Sequence, residues 1–422
     1  MSKKFVEDRY RGRIVDARIE AALKTFGGVL ITGPKWCGKS WTGLHHSASS
    51  LFADDPVTRE RAMLYPNDLL SAPRPLLVDE WQNAPVLWDA ARRMIDFSDE
   101  RGMFIFTGSV TPPAEAAVHT GTGRFARIAM RPMSLYESGH SGGSVSVSRM
   151  FDGSDPVRGL SACDTGGVMI LACRGGWPSG IALGDREALS IPMDYVRGII
   201  ETDMGGIYGE RWLSRNIDKM LRSLARNNAT EARASTLVAD MASEGDGLTA
   251  DTVSKYLDIL RRMFVISEQD AWSPGLRSRG RVRTSPKRHF IDPSLAAAAL
   301  GATPEGLRRD PRTAGFLFET LCYRDLCVYM EGISGKVRHY RDNAGLEIDF
   351  ILELPDGRWA AVEAKMGAHD HDKAAASLLR LRDKVSEDAG DPAFLMILTA
   401  YGGAAHMRGD GVATVPIDCL GP

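Results

Sequence analysis

Gly33-Pro34-Lys35-Trp36-Cys37-Gly38-Lys39-Ser40 matches the spacing G-x-x-x-x-G-K-[ST] in full. No other feature of the chain constrains its fold as tightly. The spacing has chemical content only in context. The apolar run Val29-Leu30-Ile31 in front of it has strand character, and the residues after Ser40 can open a helix. Gly33 and Gly38 let the backbone N–H groups between them turn inward around phosphate oxygens. The positive end of the following helix faces the same anion. In that setting Lys39 reaches the β- and γ-phosphates of a nucleotide and the Ser40 hydroxyl ligates Mg²⁺. The nucleotide-contacting set is then Gly33, Pro34, Lys35, Trp36, Cys37, Gly38, Lys39, Ser40 and Trp41. A glycine-rich turn that binds nothing is the alternative.

A nucleotide loop needs acids nearby. Pro75-Leu76-Leu77-Val78-Asp79-Glu80 reads as a buried strand ending in two of them. Asp79 there binds Mg²⁺ through water, and Glu80 polarises the attacking water. An N-cap pair for the next helix, expected over 84–97, is the competing reading. Residues 103–109 read as a further buried strand. Ser109 at its end either senses the γ-phosphate or caps the loop before Pro112. Arg124 and Arg127 either stabilise transition-state charge, from a neighbouring subunit, or are solvated surface residues. Short apolar strands alternating with helices predict a parallel α/β sheet.

Composition excludes more than it identifies. At 422 residues, two or three domains are expected. The formal net charge of −2 gives no global basic field that would attract nucleic acid. None of the six cysteines (Cys37, Cys163, Cys173, Cys322, Cys327, Cys419) forms C-x-x-C or sits beside a histidine at zinc spacing. Reduced thiols in a cytoplasmic protein are therefore expected. The start, MSKKFVEDRYRGR, lacks the apolar core of a signal peptide, and no apolar run is long enough to span a membrane.

Residues 1–27 carry an amphipathic helical stripe, and 139–167, rich in Gly, Ser and Asp, read as a loop or insertion. The pattern is mostly helical over 190–300. Helices are expected from Ala234 and after Thr249, a plausible N-cap, with Val253, Leu257 and Leu260 on one face. Met263-Phe264-Val265-Ile266 then reads as a strand. Helix, turn, helix, strand is the outline of a winged helix. Arg277, Arg279, Arg281, Arg283, Lys287 and Arg288 follow and offer phosphate contacts to DNA. A winged helix can equally be structural or bind protein.

Beyond residue 310, a helix over Gly315–Met330, paired strands over 336–365 turning at Leu354–Trp359, a helix over 370–385 and a strand over 393–399 form a small α/β unit. Glu363 and Lys365, two apart on one strand, share a face, and the hairpin brings Asp349 alongside. Two carboxylates can hold a second Mg²⁺, and the lysine can stabilise a hydroxide or a scissile phosphate. Glu319 on the preceding helix is a fourth candidate. Solvent-exposed ion pairs are the alternative.

In order, these motifs resemble the prokaryotic AAA-type ATPases that carry a C-terminal DUF4143 domain. The likeness rests on Gly33–Ser40, Leu77-Val78-Asp79-Glu80-Trp81-Gln82, Phe106-Thr107-Gly108-Ser109, and Gly123-Arg124 with Arg131-Pro132-Met133-Ser134-Leu135-Tyr136-Glu137. It continues through Glu201-Thr202-Asp203, the helix-turn-helix at 234–266, Lys287-Arg288-His289-Phe290-Ile291-Asp292-Pro293, Gly315–Glu319 and Tyr340-Arg341-Asp342. Glu347-Ile348-Asp349-Phe350 and Val362-Glu363-Ala364-Lys365 complete it. Nearly the whole chain is covered.

The resemblance implies an ATPase core over 1–185, a helical winged-helix domain over 186–300 and a PD-(D/E)xK nuclease-like domain over 301–422. ATP and Mg²⁺ are the implied cofactors. The chain departs from the usual pattern at Lys35-Trp36-Cys37, where small or polar residues are commoner, and in the length of 139–167. The function it implies is a Mg²⁺-dependent ATP hydrolase that remodels or binds DNA or a partner protein, as a homo-oligomer away from membranes. An ATP-regulated, metal-dependent DNA nuclease and a nucleotide-gated binding module with slow turnover are the alternatives.

Overall fold

The computed structural model describes residues 3–109, 121–203, 211–242, 249–275 and 285–422. The chain forms two compact units. One comprises Met1–Pro132 with Leu260–Val265, the other Met133–Ile259 with Ile266–Pro422.

Strands β1 (Gly28–Thr32), β2 (Ser49–Phe52), β3 (Leu76–Asp79), β4 (Phe104–Gly108) and β5 (Phe125–Ala129) build the first unit. They pair in parallel in the order β2-β3-β4-β1-β5. The central strands are apolar almost throughout because both faces are covered. Leu30, Val78, Phe104 and Phe106 pack with Leu87, Trp88 and Ala91 of the helix Pro85–Asp96. Val29, Ile31, Leu77 and Ile105 pack with Ile19 of the helix Asp16–Thr25. Alternation along each strand assigns successive residues to opposite layers. Trp81 stacks on Trp88 at 4.8 Å between ring centroids, Trp88 stacks on Phe125 at 4.3 Å, and Phe106 meets Trp88 edge-on at 5.2 Å.

The second unit is built on β7 (Gly159–Leu160), β10 (Lys336–Arg341), β11 (Glu347–Glu353), β12 (Trp359–Lys365), β13 (Leu395–Thr399), β14 (Ala404–Met407) and β15 (Val412–Pro416). Their order is β10-β11-β12-β13-β15-β14-β7. The first three are antiparallel neighbours, and β12, β13 and β15 run parallel. The helix His371–Ala389 lays Ala374, Leu378, Leu381 and Val385 on Ile351, Trp359, Ala361 and Ile397. Asp325, buried on the long helix Pro311–Gly332, accepts the Leu135 N–H at 3.0 Å and so fixes the segment after Met133.

Three sequence expectations change. Residues 139–167 are not a plain loop. They contribute β6 (Val145–Ser146), paired with β16 (Leu420–Gly421), and β7, paired with β14. Asp418 accepts the N–H groups of Ala162 and Cys163 at 2.7 and 3.1 Å. Strands of two residues carry no periodicity that a sequence could reveal. The strand expected at 263–266 begins only at Ile266, as β8 (Ile266–Gln269), because Phe264 turns at φ 56° and the Val265 N–H closes on the Leu260 carbonyl. β8 pairs with β9 (Lys287–Phe290) in a separate two-stranded ribbon. The helix expected over 1–27 is two, Lys3–Glu7 and Asp16–Thr25.

Among the described residues, no helix is long and apolar enough to cross a membrane. Phe106→Ala is expected to destabilise the first unit by about 3–5 kcal/mol. Phe97→Ser, at a side chain 91% exposed, should change stability by less than about 0.5 kcal/mol. Urea unfolding of both variants beside the parent chain checks the contrast.

Candidate functional site

Strand β1 ends at Thr32 and the chain turns at once into Gly33–Gly38 before the helix Lys39–His46. Gly33 and Gly38 have φ of +154° and +103°. A Cβ at Gly33 would stand 2.4 Å from the Met130 carbonyl oxygen, so the loop closes against the end of β5 only with glycine there. Lys39 is buried, and its Nζ donates to the Pro34 carbonyl at 2.8 Å, across the loop. Cys37 points into the core, whereas Lys35 and Trp36 are exposed. Trp36 holds a left-handed φ of 62° that a side chain rarely adopts. Trp41 stacks on Phe5 at 6.3 Å.

Sequence reasoning missed the brace behind this loop. Arg13 is buried and donates to the Cys37 carbonyl at 2.8 Å and the Arg131 carbonyl at 2.9 Å. Asp16 accepts the Arg13 N–H at 2.7 Å and the Tyr10 hydroxyl at 2.6 Å. The Tyr10 ring lies on His45 at 4.1 Å. No local pattern signals this, because Arg13 and Cys37 meet only once the helix Asp16–Thr25 has packed on the sheet.

Parallel pairing puts the C-terminal ends of β1, β3 and β4 on one edge, the place where such sheets bind ligands. Asp79 ends β3. Its carboxylate accepts the Thr107 hydroxyl from β4 and the Ser40 hydroxyl. Burial raises the Asp79 pKa, with Glu80 adding to the rise. Glu80 follows at φ 50°. Its carboxylate accepts from the Gln82 amide and from Ser109 at 3.2 Å. Lys39, Ser40, Asp79, Glu80 and Ser109 are thus brought to one edge. The donor set fits Mg²⁺ with a nucleotide: a lysine across the loop, a hydroxyl against a carboxylate, and a loop that turns at two glycines of positive φ.

The structure does not bring Arg124 to this edge. Arg124 precedes β5, where its carbonyl accepts the Gly28 N–H at 3.2 Å, and its guanidinium pairs with Asp96. Gly28 is the other end of β1, about 13 Å from Thr32 at the usual strand rise. Arg127 lies opposite Leu30 in mid-strand and is exposed.

A second cluster lies in the other unit. Antiparallel pairing of Phe350 with Val362 sets Asp349 beside Glu363. Asp349 accepts the Ala364 N–H at 3.0 Å and pairs with Lys365 at 3.4 Å, and Lys365 also meets Glu363. The four residues singled out from sequence do come together. Lys287, expected in a DNA-facing basic stretch, is buried with them, 3.0 Å from Glu319, 3.0 Å from Glu347 and 3.6 Å from Asp349. Arg288 donates to the Ala232 carbonyl and pairs with Glu268 at 3.4 Å. Arg277, Arg279, Arg281 and Arg283 lie outside the described residues.

Burial pushes the Glu319 carboxyl up to about 7 against the pull of Lys287. Burial, reinforced by the Asp349 charge, pushes Glu363 well above the usual range. At Asp349 burial is outweighed by Lys365 and Lys287, which bring it to about 2. Among the described residues, no three His, Cys, Asp or Glu side chains are arranged to hold a metal ion. Lys287 stands among the acids expected to hold one.

Known proteins compare as follows. Residues 26–139 match the model of an AAA domain, and residues 314–420 match a domain of unknown function, DUF4143. Residues 169–306 match a further domain of unknown function, DUF8612. The chain therefore carries an AAA-type P-loop ATPase domain followed by a DUF4143 domain. No curated protein matches the chain. Among solved structures, the Walker-type ATPase PABY2304 of Pyrococcus abyssi is 15% identical, with 69% of this chain and 96% of that one covered and a TM-score of 0.43. The Thermotoga maritima RuvB Holliday junction branch migration motor is 17% identical over 60% and 88%, with a TM-score of 0.27. The replication initiator DnaA, bound to AMPPCP and single-stranded DNA, is 14% identical over 61% and 92%, with a TM-score of 0.31.

Arg13→Met leaves the Cys37 carbonyl of the loop and the Arg131 carbonyl after β5 without their charged donor, at about 1.5–3 kcal/mol each. Binding of a fluorescent ATP analogue should weaken about tenfold or more, with the fold retained by circular dichroism. At Glu319 the folded pKa, about 7, lies above the unfolded value near 4.3. The folded state binds the extra proton, so the stability this group contributes is present at low pH and lost as pH rises through about 7. Between pH 5 and pH 8 the parent chain should lose on the order of 2 kcal/mol relative to Glu319→Gln, measured by urea unfolding at both pH values.

Proposed function

We propose that the chain is a Mg²⁺-dependent ATP hydrolase whose cycle drives rearrangement of a bound partner, DNA or protein. The observation that carries this reading is the convergence of Lys39, Ser40, Asp79, Glu80 and Ser109 on one edge of the parallel sheet. A bound Mg²⁺ would supply positive charge to offset that of the phosphates. Ser40 and Asp79, already in contact, are the residues that would hold it, and its positive charge reverses the desolvation cost at Asp79. Lys39 exchanges its Pro34 carbonyl for phosphate oxygens. The amides of the Gly33–Gly38 loop, which Arg13 holds at the Cys37 carbonyl, orient the phosphates. Glu80 is the base that takes the proton of the attacking water. Its contacts with Gln82 and Ser109 fix the carboxylate before the nucleotide arrives. Arg124 and Arg127, if they act, act from a neighbouring subunit.

The helices Ala234–Met241 and Ala250–Arg262 with the ribbon β8–β9 support a winged-helix reading of the middle of the chain. Thr249 caps the second helix, accepting the Thr252 N–H at 3.2 Å. One observation favours a second reading, an ATP-regulated nuclease: Asp349, Glu363 and Lys365 meet across β11 and β12 in the arrangement that metal-dependent phosphodiester cleavage uses.

Glu80→Gln is expected to lower kcat for ATP about 100-fold or more while nucleotide still binds, and Lys39→Ala to lose binding and turnover together. Phosphate release and analogue binding, measured on both variants, check the assignment. Unchanged turnover in Glu80→Gln would contradict it.

A further inference from the structure

The carboxylate cluster of the second unit already contains a cation, and the chain itself supplies it. The Lys287 side chain is 3% exposed, and its ammonium touches Glu319, Glu347 and Asp349. Four carboxylates here face two ammonium groups, Lys287 and Lys365. A buried charge without a partner is costly, and each of the two ammonium groups is paired with at least two of these carboxylates. The spacing is informative. Two of the three Lys287 contacts measure 3.0 Å, the separation of an ammonium hydrogen bond. Mg²⁺ takes its oxygens at about 2.1 Å. Around the Lys287 position the acids stand at ammonium distances, wider than a bare divalent ion takes.

We propose that Lys287 is the resident cation of this cluster and closes the Asp349–Glu363–Lys365 constellation to divalent metal until it withdraws. The inference rests on the nuclease-like reading of that constellation and adds its regulation. Lys287 belongs to β9, in the two-stranded ribbon with β8, whereas Asp349, Glu363 and Lys365 belong to the seven-stranded sheet. The blocking charge and the acids come from separate sheets, so a shift of the ribbon is enough to part them. With the ammonium gone, Glu319, Asp349 and Glu363 repel one another. A divalent ion relieves that repulsion by drawing them inward.

The test uses the full chain, Mn²⁺ alone as probe, and isothermal titration. Lys287→Met is expected to bind Mn²⁺ at least tenfold more tightly than the parent chain. The gain should vanish in Lys287→Met/Asp349→Asn, which separates it from any binding at Asp79. Equal affinity in the parent chain and Lys287→Met overturns the proposal, as does a gain that survives Asp349→Asn. If Lys287→Met fails to fold, Lys287→Gln/Glu347→Gln removes one charge of each sign and keeps the three acids. The same gain is expected there, and its absence from the folded protein overturns the proposal. Supercoiled DNA incubated with Mn²⁺ and Lys287→Met separates the two readings. Cut DNA supports both, whereas tight Mn²⁺ with intact DNA leaves Lys287 as the resident cation and overturns the nuclease.

Discussion

Strand β4 lies between the strand that carries the phosphate loop and the strand that carries the acids, and the first unit depends on that insertion. Parallel pairing of Val78 with Phe106, and of Ile31 with Thr107, sets Thr107 between Asp79 and the loop. Thr107 can then hold Asp79 by its hydroxyl while Ser109, two residues on, reaches Glu80. The apolar faces of the strands fix the register, because a shift of one residue would turn Phe104 and Phe106 out of the layer they share with Trp88. Packing beneath the sheet therefore sets the positions of polar groups at its edge. Arg13 adds the second constraint, tying the loop back to the chain just ahead of the helix Asp16–Thr25.

The two clusters use opposite electrostatics. At the sheet edge of the first unit, one buried carboxylate faces hydroxyls, a lysine and open backbone, and burial raises its pKa. That arrangement favours an incoming cation that carries its own phosphates. In the second unit several carboxylates meet two lysines inside the protein, and part of their charge is offset before anything arrives. An arrangement whose acids are already paired internally is a poor receptor until one of its members moves.

Much of this was legible in the sequence, and the limits are physical. The phosphate loop, the acid pair after Val78 and the strand through Phe106 announce themselves by local spacing, and each lies where its pattern implied. Asp349, Glu363 and Lys365 were legible for the same reason: a strand period of two and a short hairpin bring them together. Lys287 was misread. In the sequence it ends a run of arginines, and nothing local distinguishes a lysine bound for solvent from one bound for three carboxylates, at least 32 residues away in the chain. Arg13 was invisible because its partners are backbone carbonyls, which carry no sequence signal. Strands β6 and β7 were hidden by their length, and the segment around them was read as a loop for its glycines and serines.

The most direct test of the account is ATP turnover by the full chain in Mg²⁺, with and without DNA, with the DNA run on a gel afterwards. The account predicts Mg²⁺-dependent phosphate release that DNA or a protein partner accelerates. Absence of turnover in Mg²⁺ from a folded chain that binds ATP would contradict it and leave a nucleotide-binding module in its place.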